Sequence, residues 1–214
     1  MENPSPVYVY PLENSRYINL CNRCTAHCVF CPITNHPVVA GHNLTLSMAQ
    51  EPSVAQVIAL LNEPRLADEI VFCGFGEPTL RLDALKQIAQ WIKHRGGRTR
   101  LNTNGHGNLI HGRDITPELH GLIDSISISL NAANAQDYAR IMRPVYGQEA
   151  FTAVLEFVRL AKQFIPQVIV SAVAIPGLDT SACKQLADEM QVEFRLRPHA
   201  DLSQNIRRGR FKNT

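Results

Sequence analysis

Short runs of β-branched and other apolar residues recur along the chain, and segments with helical spacing separate them. Such runs, bounded by polar or turn-forming residues, are typical of buried or half-buried strands. They predict six strands, at residues 16–20, 69–73, 99–103, 125–129, 168–174 and 193–196.

Between these strands, apolar residues recur at positions i, i+3, i+4 and i+7, which is the spacing of one helix face. Three segments follow this spacing: Val54, Val57, Ile58 and Leu61; Leu85, Ile88, Ala89 and Ile92; and Val154, Phe157, Val158 and Ala161. Ala182, Leu186 and Met190 recur four apart behind Asp179 and Thr180, a pair that can cap a fourth helix. Strands that alternate with helices imply βαβ units and a parallel sheet.

Six strands in a chain of 214 residues are too few for a closed eight-stranded barrel, which typically needs about 250 residues. We therefore predict an α/β fold, a partial (β/α)6 TIM-like barrel with parallel strands. A doubly wound open sheet is the competing architecture, because periodicity does not separate the two. Residues 1–200 are predicted to form one core domain, and residues 201–214 a polar, basic tail.

The composition indicates a globular protein without a strong charge bias. Hydrophobic residues make up 45% of the chain and charged residues 19%, and the net charge is +2. That charge is too small to predict nucleic-acid binding. The N-terminal residues lack the apolar core of a signal peptide, and no apolar run reaches the roughly 18 residues that a membrane span needs. We expect a cytoplasmic protein that does not bind membranes.

Four of the six cysteines lie within eleven residues, directly after the first predicted strand. They are Cys21, Cys24, Cys28 and Cys31. Thiols crowded into one loop predict a metal site rather than a disulfide framework. Either all four bind one structural zinc ion, or Cys24, Cys28 and Cys31, spaced C-x₃-C-x₂-C, hold an iron–sulfur cluster. Three thiolates leave one iron open to a further ligand, and in that case Cys21 is not a ligand.

A second unusual segment, Cys-Gly-Phe-Gly-Glu-Pro, follows the second predicted strand. Its glycines permit close backbone approach, and its glutamate is a hydrogen-bond acceptor. Further candidate residues stand at the ends of the later strands. Because parallel strands present their carboxyl ends at one edge of the sheet, we predict that these residues share one site. The candidates are Gly74, Phe75, Gly76, Glu77, Asn104, Ser129, Asn131, Ile175 and Arg197.

The cysteine loop and the Gly-Phe-Gly-Glu-Pro segment together resemble two elements of the radical S-adenosylmethionine (SAM) superfamily. The resemblance implies that Cys24, Cys28 and Cys31 ligate a four-iron [4Fe-4S] cluster. In that superfamily the open iron is chelated by the amino and carboxylate groups of SAM, and one electron cleaves SAM to a 5′-deoxyadenosyl radical. The catalytic residue for the final substrate is not implied.

The resemblance also assigns SAM contacts. The segment Gly74, Phe75, Gly76 and Glu77 corresponds to the Gly-Gly-Glu-Pro element that contacts the methionine amino group, with Phe75 in the place of the first glycine. Asn104, Ser129 and Asn131 correspond to positions that hydrogen-bond the ribose or the methionine carboxylate. Ile175 and the backbone of Arg197 correspond to positions near the adenine.

The order of motifs over residues 7–199 is similar to that of a narrower group, the TatD-associated radical SAM proteins. This similarity implies a short partial barrel without an appended cluster domain, and a TatD-type partner. The superfamily also implies an electron donor of the flavodoxin or ferredoxin type. The substrate, either a small molecule or a protein, is not identified. A zinc-stabilised four-cysteine structural or binding module without radical chemistry remains the alternative function.

Overall fold

The computed structural model describes residues 6–34, 38–175 and 178–198. Its central sheet has seven strands, in the spatial order β1-β2-β5-β6-β7-β8-β9. All neighbouring strands are parallel except β1, which is antiparallel to β2. The strands are β1 (Val9–Leu12), β2 (Ser15–Ile18), β5 (Ile70–Phe72), β6 (Thr99–Thr103), β7 (Ser125–Ser129), β8 (Gln167–Ala174) and β9 (Glu193–Pro198). A separate small hairpin is formed by β3 (Val38–Val39) and β4 (His42–Asn43).

At least one helix lies between each pair of consecutive parallel strands. The helices are α1 (Val54–Leu61), α2 (Leu82–His94), α3 (Gly107–His111), α4 (Ala135–Met142), α5 (Glu149–Phe164) and α6 (Ser181–Glu189). Within the described ranges, β1 and β9 are the two edges of the sheet, so it stays open. The result is the predicted partial TIM-like barrel. In the part of the chain described, no helix has the length and apolar character needed to cross a membrane.

The six predicted strands are the six parallel strands of the sheet. β6 and β7 have the predicted bounds, whereas β2 ends at Ile18, two residues before the predicted end. β1 was not predicted, because its short sequence contains Pro11; a proline suits an edge strand, which lacks a partner on one side. The predicted tail, residues 201–214, lies outside the described residues.

The two faces of the sheet differ in polarity. Side chains alternate along a strand, and on β7 Ile126 and Ile128 belong to the hydrophobic core beneath the helices. The inner face instead carries Asn102 from β6, Ser129 from β7 and Arg197 from β9, which line one cavity. This polar interior marks the carboxyl end of the barrel as a site rather than as a packed core.

Asp124 joins the loop before β7 to the start of β6. Its carboxylate accepts hydrogen bonds from Lys93 Nζ, at 2.6 and 2.7 Å, and from the backbone nitrogen of Thr99 at 2.8 Å. Burial by itself raises the pKa of Asp124, but the hydrogen bonds from Lys93 and Thr99 outweigh it and hold the pKa below its ordinary value of 3.8.

We predict that Asp124 stabilises the fold at neutral pH and that acid removes this contribution. A carboxyl group with a lowered folded-state pKa contributes stability above its unfolded value, and loses it as pH falls through the folded value. Because the carboxylate is partly exposed, Asp124→Asn should lower the free energy of unfolding at neutral pH by only about 1 kcal/mol. Urea unfolding at several pH values measures this difference, which should shrink below about pH 4.

Asp188→Asn is the control, since it removes an exposed carboxylate 2.7 Å from Lys184 on α6. It should change the free energy of unfolding little at any pH. A deficit of Asp124→Asn that stays constant into the acid range would contradict the prediction.

Candidate functional site

The loop of residues 21–31 follows β2 at the carboxyl edge of the sheet. Three of its cysteines, Cys24, Cys28 and Cys31, line one cavity. The structure brings eight of the nine other predicted site residues to the same cavity. They are Gly74, Phe75, Gly76, Glu77, Asn104, Ser129, Asn131 and Arg197.

Cys21 is turned away from the cavity. Its buried Sγ lies 3.4 Å from the carbonyl oxygen of Glu77 and 3.7 Å from that of Arg23. The structure therefore separates Cys21 from the three thiols that line the cavity, and this separation favours a three-thiolate cluster over a four-cysteine zinc site.

Burial makes three of the cysteine thiols of this loop weak acids. It raises the pKa of Cys24 to about 11, and the pKa values of Cys21 and Cys28 to about 12. At neutral pH these groups are protonated, whereas a metal-bound cysteine is a thiolate. Loading the loop with metal therefore releases protons from it.

The Gly-Phe-Gly-Glu segment holds the cysteine loop from the strand side. The backbone nitrogen of Gly76 donates to the carbonyl oxygen of Cys21 at 3.1 Å, and that of Glu77 donates to the carbonyl oxygen of Arg23 at 2.8 Å. A Cβ atom on Gly76 would lie 2.4 Å from the Cys21 oxygen, and one on Gly74 would lie 2.0 Å from Asn19 Oδ1. Both positions therefore need glycine for the packing of the two segments.

The buried carboxylate of Glu77 joins the ends of β5 and β6. Its Oε1 accepts hydrogen bonds from the backbone nitrogen of Thr79 at 3.1 Å, and from the hydroxyls of Thr79 and Thr103, both at 2.7 Å. Its Oε2 accepts from the backbone nitrogen of Asn104 at 2.7 Å. Burial raises the pKa of Glu77, and these hydrogen bonds oppose the rise. Within the described residues Oε1 has three donors and Oε2 has one, so Oε2 is the oxygen that can accept a further hydrogen bond.

Asn104 lies behind the cysteine loop, in a buried network that the sequence did not predict. Its Nδ2 donates to Thr25 Oγ1 at 3.0 Å and is 3.6 Å from Cys24 Sγ. The ring of His106 connects Thr25 Oγ1, 2.8 Å from Nδ1, to the hydroxyl of Tyr138, 2.8 Å from Nε2. Burial lowers the pKa of His106 to about 4, so the ring is neutral and donates through one nitrogen only.

Asn131 supports the loop from the helix side. Its backbone has a positive φ of 60°, which asparagine tolerates. Its Oδ1 accepts from the backbone nitrogen of Val173 at 2.9 Å, and its Nδ2 donates to Met142 Sδ at 3.1 Å. The same sulfur lies 3.6 Å from Cys28 Sγ. The carbonyl of Met142 also accepts from the backbone nitrogen of His27 at 3.0 Å, so the C-terminus of α4 holds the loop.

Of the last two predicted site residues, Arg197 lines the cavity and Ile175 does not. Arg197 enters the cavity with its side chain, and its Nη2 donates to Ser129 Oγ at 3.2 Å. Ile175 is half-buried against the hydrophobic core and is not among the described residues that line the cavity. The structure therefore does not bring Ile175 together with the other candidates.

The sequence matches a family model described as the radical SAM superfamily over residues 18–190. The uncharacterized protein MJ0804 of Methanocaldococcus jannaschii is 26% identical over 183 residues, which are 84% of this chain and 55% of that protein. The chain thus spans about half the length of this curated relative.

Solved structures with a similar fold are larger proteins. SuiB of Streptococcus suis bound to its precursor peptide SuiA has a TM-score of 0.62 at 11% identity, covering 88% of this chain and 40% of SuiB. SuiB bound to S-adenosylmethionine has a TM-score of 0.57 at 13% identity, covering 86% of this chain and 40% of SuiB. A radical SAM methyltransferase from Sphaerobacter thermophilus has a TM-score of 0.54 at 18% identity, covering 89% of this chain and 57% of the methyltransferase. At these identities the similarity shows the fold alone.

The four hydrogen bonds of Glu77 predict a structural effect that needs no cofactor. Glu77→Gln replaces one accepting oxygen with an amide nitrogen, which then faces N–H or O–H donors. The free energy of unfolding of the metal-free protein should fall by about 2–4 kcal/mol. Urea unfolding without added iron or SAM measures this effect.

Glu118→Gln is the matched control, because the side chain of Glu118 is 28% exposed and its partners are the side chains of Lys86, at 2.6 Å, and Arg113. It should lower the free energy of unfolding by less than about 1 kcal/mol. If Glu77→Gln left the metal-free protein as stable as the unaltered chain and only weakened SAM binding, the carboxylate would act on the cofactor instead of joining the strands.

Proposed function

The chain belongs to the radical SAM superfamily, and from that premise we propose that Cys24, Cys28 and Cys31 hold its four-iron [4Fe-4S] cluster. Membership makes the protein an enzyme and implies both this cluster and SAM as cofactors. When bound, the two supply a 5′-deoxyadenosyl radical that abstracts hydrogen from a substrate. The observation that carries the proposal is the division of the thiols, three at one cavity and Cys21 outside it.

The residues of the cavity fit this pair of cofactors. Thiolates are the protein ligands of iron–sulfur clusters, and hydrogen bonds to their sulfur atoms help to set the reduction potential. Asn104 is placed for that role by its contact with Cys24 Sγ. The three thiols and the strand ends line the same cavity, so SAM bound at the open iron would meet the strand ends.

For SAM itself we propose contacts from two kinds of residue. The backbone of residues 74–76 and Oε2 of Glu77 would accept from the methionine amino group, and Ser129 would bind its carboxylate or the ribose. Asn104 and Asn131 would support the SAM site by positioning the segments around it. The side chain of Asn104 contacts the cysteine loop, and that of Asn131 contacts β8 and α4. A contact of Ile175 with the adenine stays a prediction.

The partners follow from the chemistry and remain proposals. The cluster must be reduced before it can cleave SAM, so we propose an electron donor of the flavodoxin or ferredoxin type. We also propose a cytoplasmic location, because an oxygen-sensitive cluster is stable in a reducing compartment. The substrate is either a small molecule or a protein; SuiB, a neighbour in fold only, binds a precursor peptide. The similarity to TatD-associated radical SAM proteins supports a TatD-type partner.

Reconstitution with iron and sulfide under anaerobic conditions tests the function. With dithionite and SAM, the unaltered protein should release 5′-deoxyadenosine. Cys24→Ala, Cys28→Ala and Cys31→Ala should each lower this release by about 100-fold or more, because the cluster loses a ligand. Cys21→Ala is the control within the same loop and should keep the release within about threefold.

Two results would overturn the function. One is an intact cluster that releases no 5′-deoxyadenosine. The other is a colourless protein with one zinc ion, no acid-labile sulfide and weaker zinc binding after Cys21→Ala, which would establish the four-cysteine zinc module instead.

A further inference from the structure

The cavity contains a partly buried cation that has no carboxylate partner among the described residues. Arg197 is the only basic residue among the described residues that line it, and the guanidinium donates to the neutral hydroxyl of Ser129. Its Nε is buried and has no hydrogen-bond partner in the described part of the chain. No ion pair within the described residues includes Arg197.

Two other arginines of the same sheet are paired with a carboxylate. Arg100 on β6 lies 3.2 Å from Glu69, and Arg195, two residues before Arg197 on β9, lies 3.2 Å from Glu193. Burying a charge is unfavourable unless it is paired and hydrogen-bonded. Arg197 lines the cavity without a carboxylate partner, so its charge needs a partner that the described residues do not supply.

The groups around Arg197 do not fill this role. Glu77 is the only carboxylate that lines the cavity within the described residues; its four hydrogen bonds come from Thr79, Thr103 and Asn104, and none comes from Arg197. Cys73 is kept neutral by burial, which raises its pKa, and Cys28 is assigned to iron. Burial lowers the pKa of Arg197, yet a guanidinium stays protonated in proteins.

A hydrogen-bond acceptor lies at the same cavity. Asn102 Oδ1, from β6, is buried and without a partner among the described residues. An unpaired cation and an unpaired acceptor in one cavity match a ligand that carries an oxyanion together with a hydroxyl or amino donor.

We propose that Arg197 and Asn102 form a substrate subsite, in which Arg197 pairs with an oxyanion and Asn102 Oδ1 accepts from a neighbouring hydroxyl or amino group. The oxyanion is a carboxylate or a phosphate, since guanidinium binds both through paired N–H donors. The subsite rests on the proposed function, and it narrows the substrate to a molecule that brings an anionic group into the cavity.

Anion binding to the protein as purified tests the subsite without any cofactor. Malonate and inorganic phosphate serve as probes, and the shift of the thermal unfolding midpoint with probe concentration gives each dissociation constant. One probe should bind, and the stronger of the two identifies the oxyanion. Arg197→Gln should weaken that binding by about tenfold or more, whereas Arg197→Lys, which keeps the charge, should retain part of it.

Arg195→Gln is the matched control, because Arg195 lies on the same strand but pairs with Glu193. It should bind the probe as the unaltered protein does. The subsite is overturned if neither probe shifts the unfolding midpoint, or if Arg195→Gln loses as much affinity as Arg197→Gln.

SAM also carries a carboxylate, so a second measurement separates cofactor from substrate. Equilibrium dialysis of labelled SAM against the reconstituted Arg197→Gln protein should give an affinity within about threefold of the unaltered protein. A loss of about tenfold or more would assign Arg197 to the SAM carboxylate and overturn the substrate subsite. Failure of the unaltered protein to release 5′-deoxyadenosine would instead remove the proposed function, and the anion measurement would still report on Arg197.

Discussion

The buried carboxylate of Glu77 is the interaction on which the candidate site depends. A charged group inside a protein needs several donors, and Glu77 takes them from Thr79, Thr103 and Asn104. These contacts fix the end of β5 to the end of β6. The side chain of Asn104 in turn donates to Thr25 and lies 3.6 Å from the sulfur of Cys24, so this one residue connects the Glu77 carboxylate to a predicted cluster ligand.

The cysteine loop is held from two sides before any metal is present. Backbone amides of Gly76 and Glu77 hold it from the sheet, and the end of α4 holds it at His27. Binding geometry that the scaffold fixes in advance does not have to be ordered when the ligand arrives. The polar inner face of the sheet provides the facing wall, with Ser129 and Arg197 near its rim.

The sequence predicted the parts of this architecture that local pattern encodes. β6 and β7 have the predicted bounds because their residues alternate in a way that suits a sheet. The cysteine spacing and the Gly-Phe-Gly-Glu segment identified the two segments that meet at the cavity. Both signals are local, and both lead to the correct fold.

What the sequence did not predict depends on contacts between distant residues. His106 and Tyr138 meet across 32 positions, and no spacing rule connects them. Asn131 lines the cavity and stays a predicted cofactor contact, but the sequence did not predict that its amide also contacts the backbone nitrogen of Val173 and the sulfur of Met142. A polar residue at a strand end is visible in a sequence, whereas the neighbour that satisfies it is not.

The close contact at Gly76 has a consequence for how relatives of this chain are recognised. Even one methyl group there would collide with the main chain of the cysteine loop, so the packing of the two segments requires this glycine with or without a cofactor. We therefore expect a homologue that has lost its cysteines to keep the glycine. The cysteine triplet, rather than the glycine, is then the feature that identifies homologues able to hold a cluster.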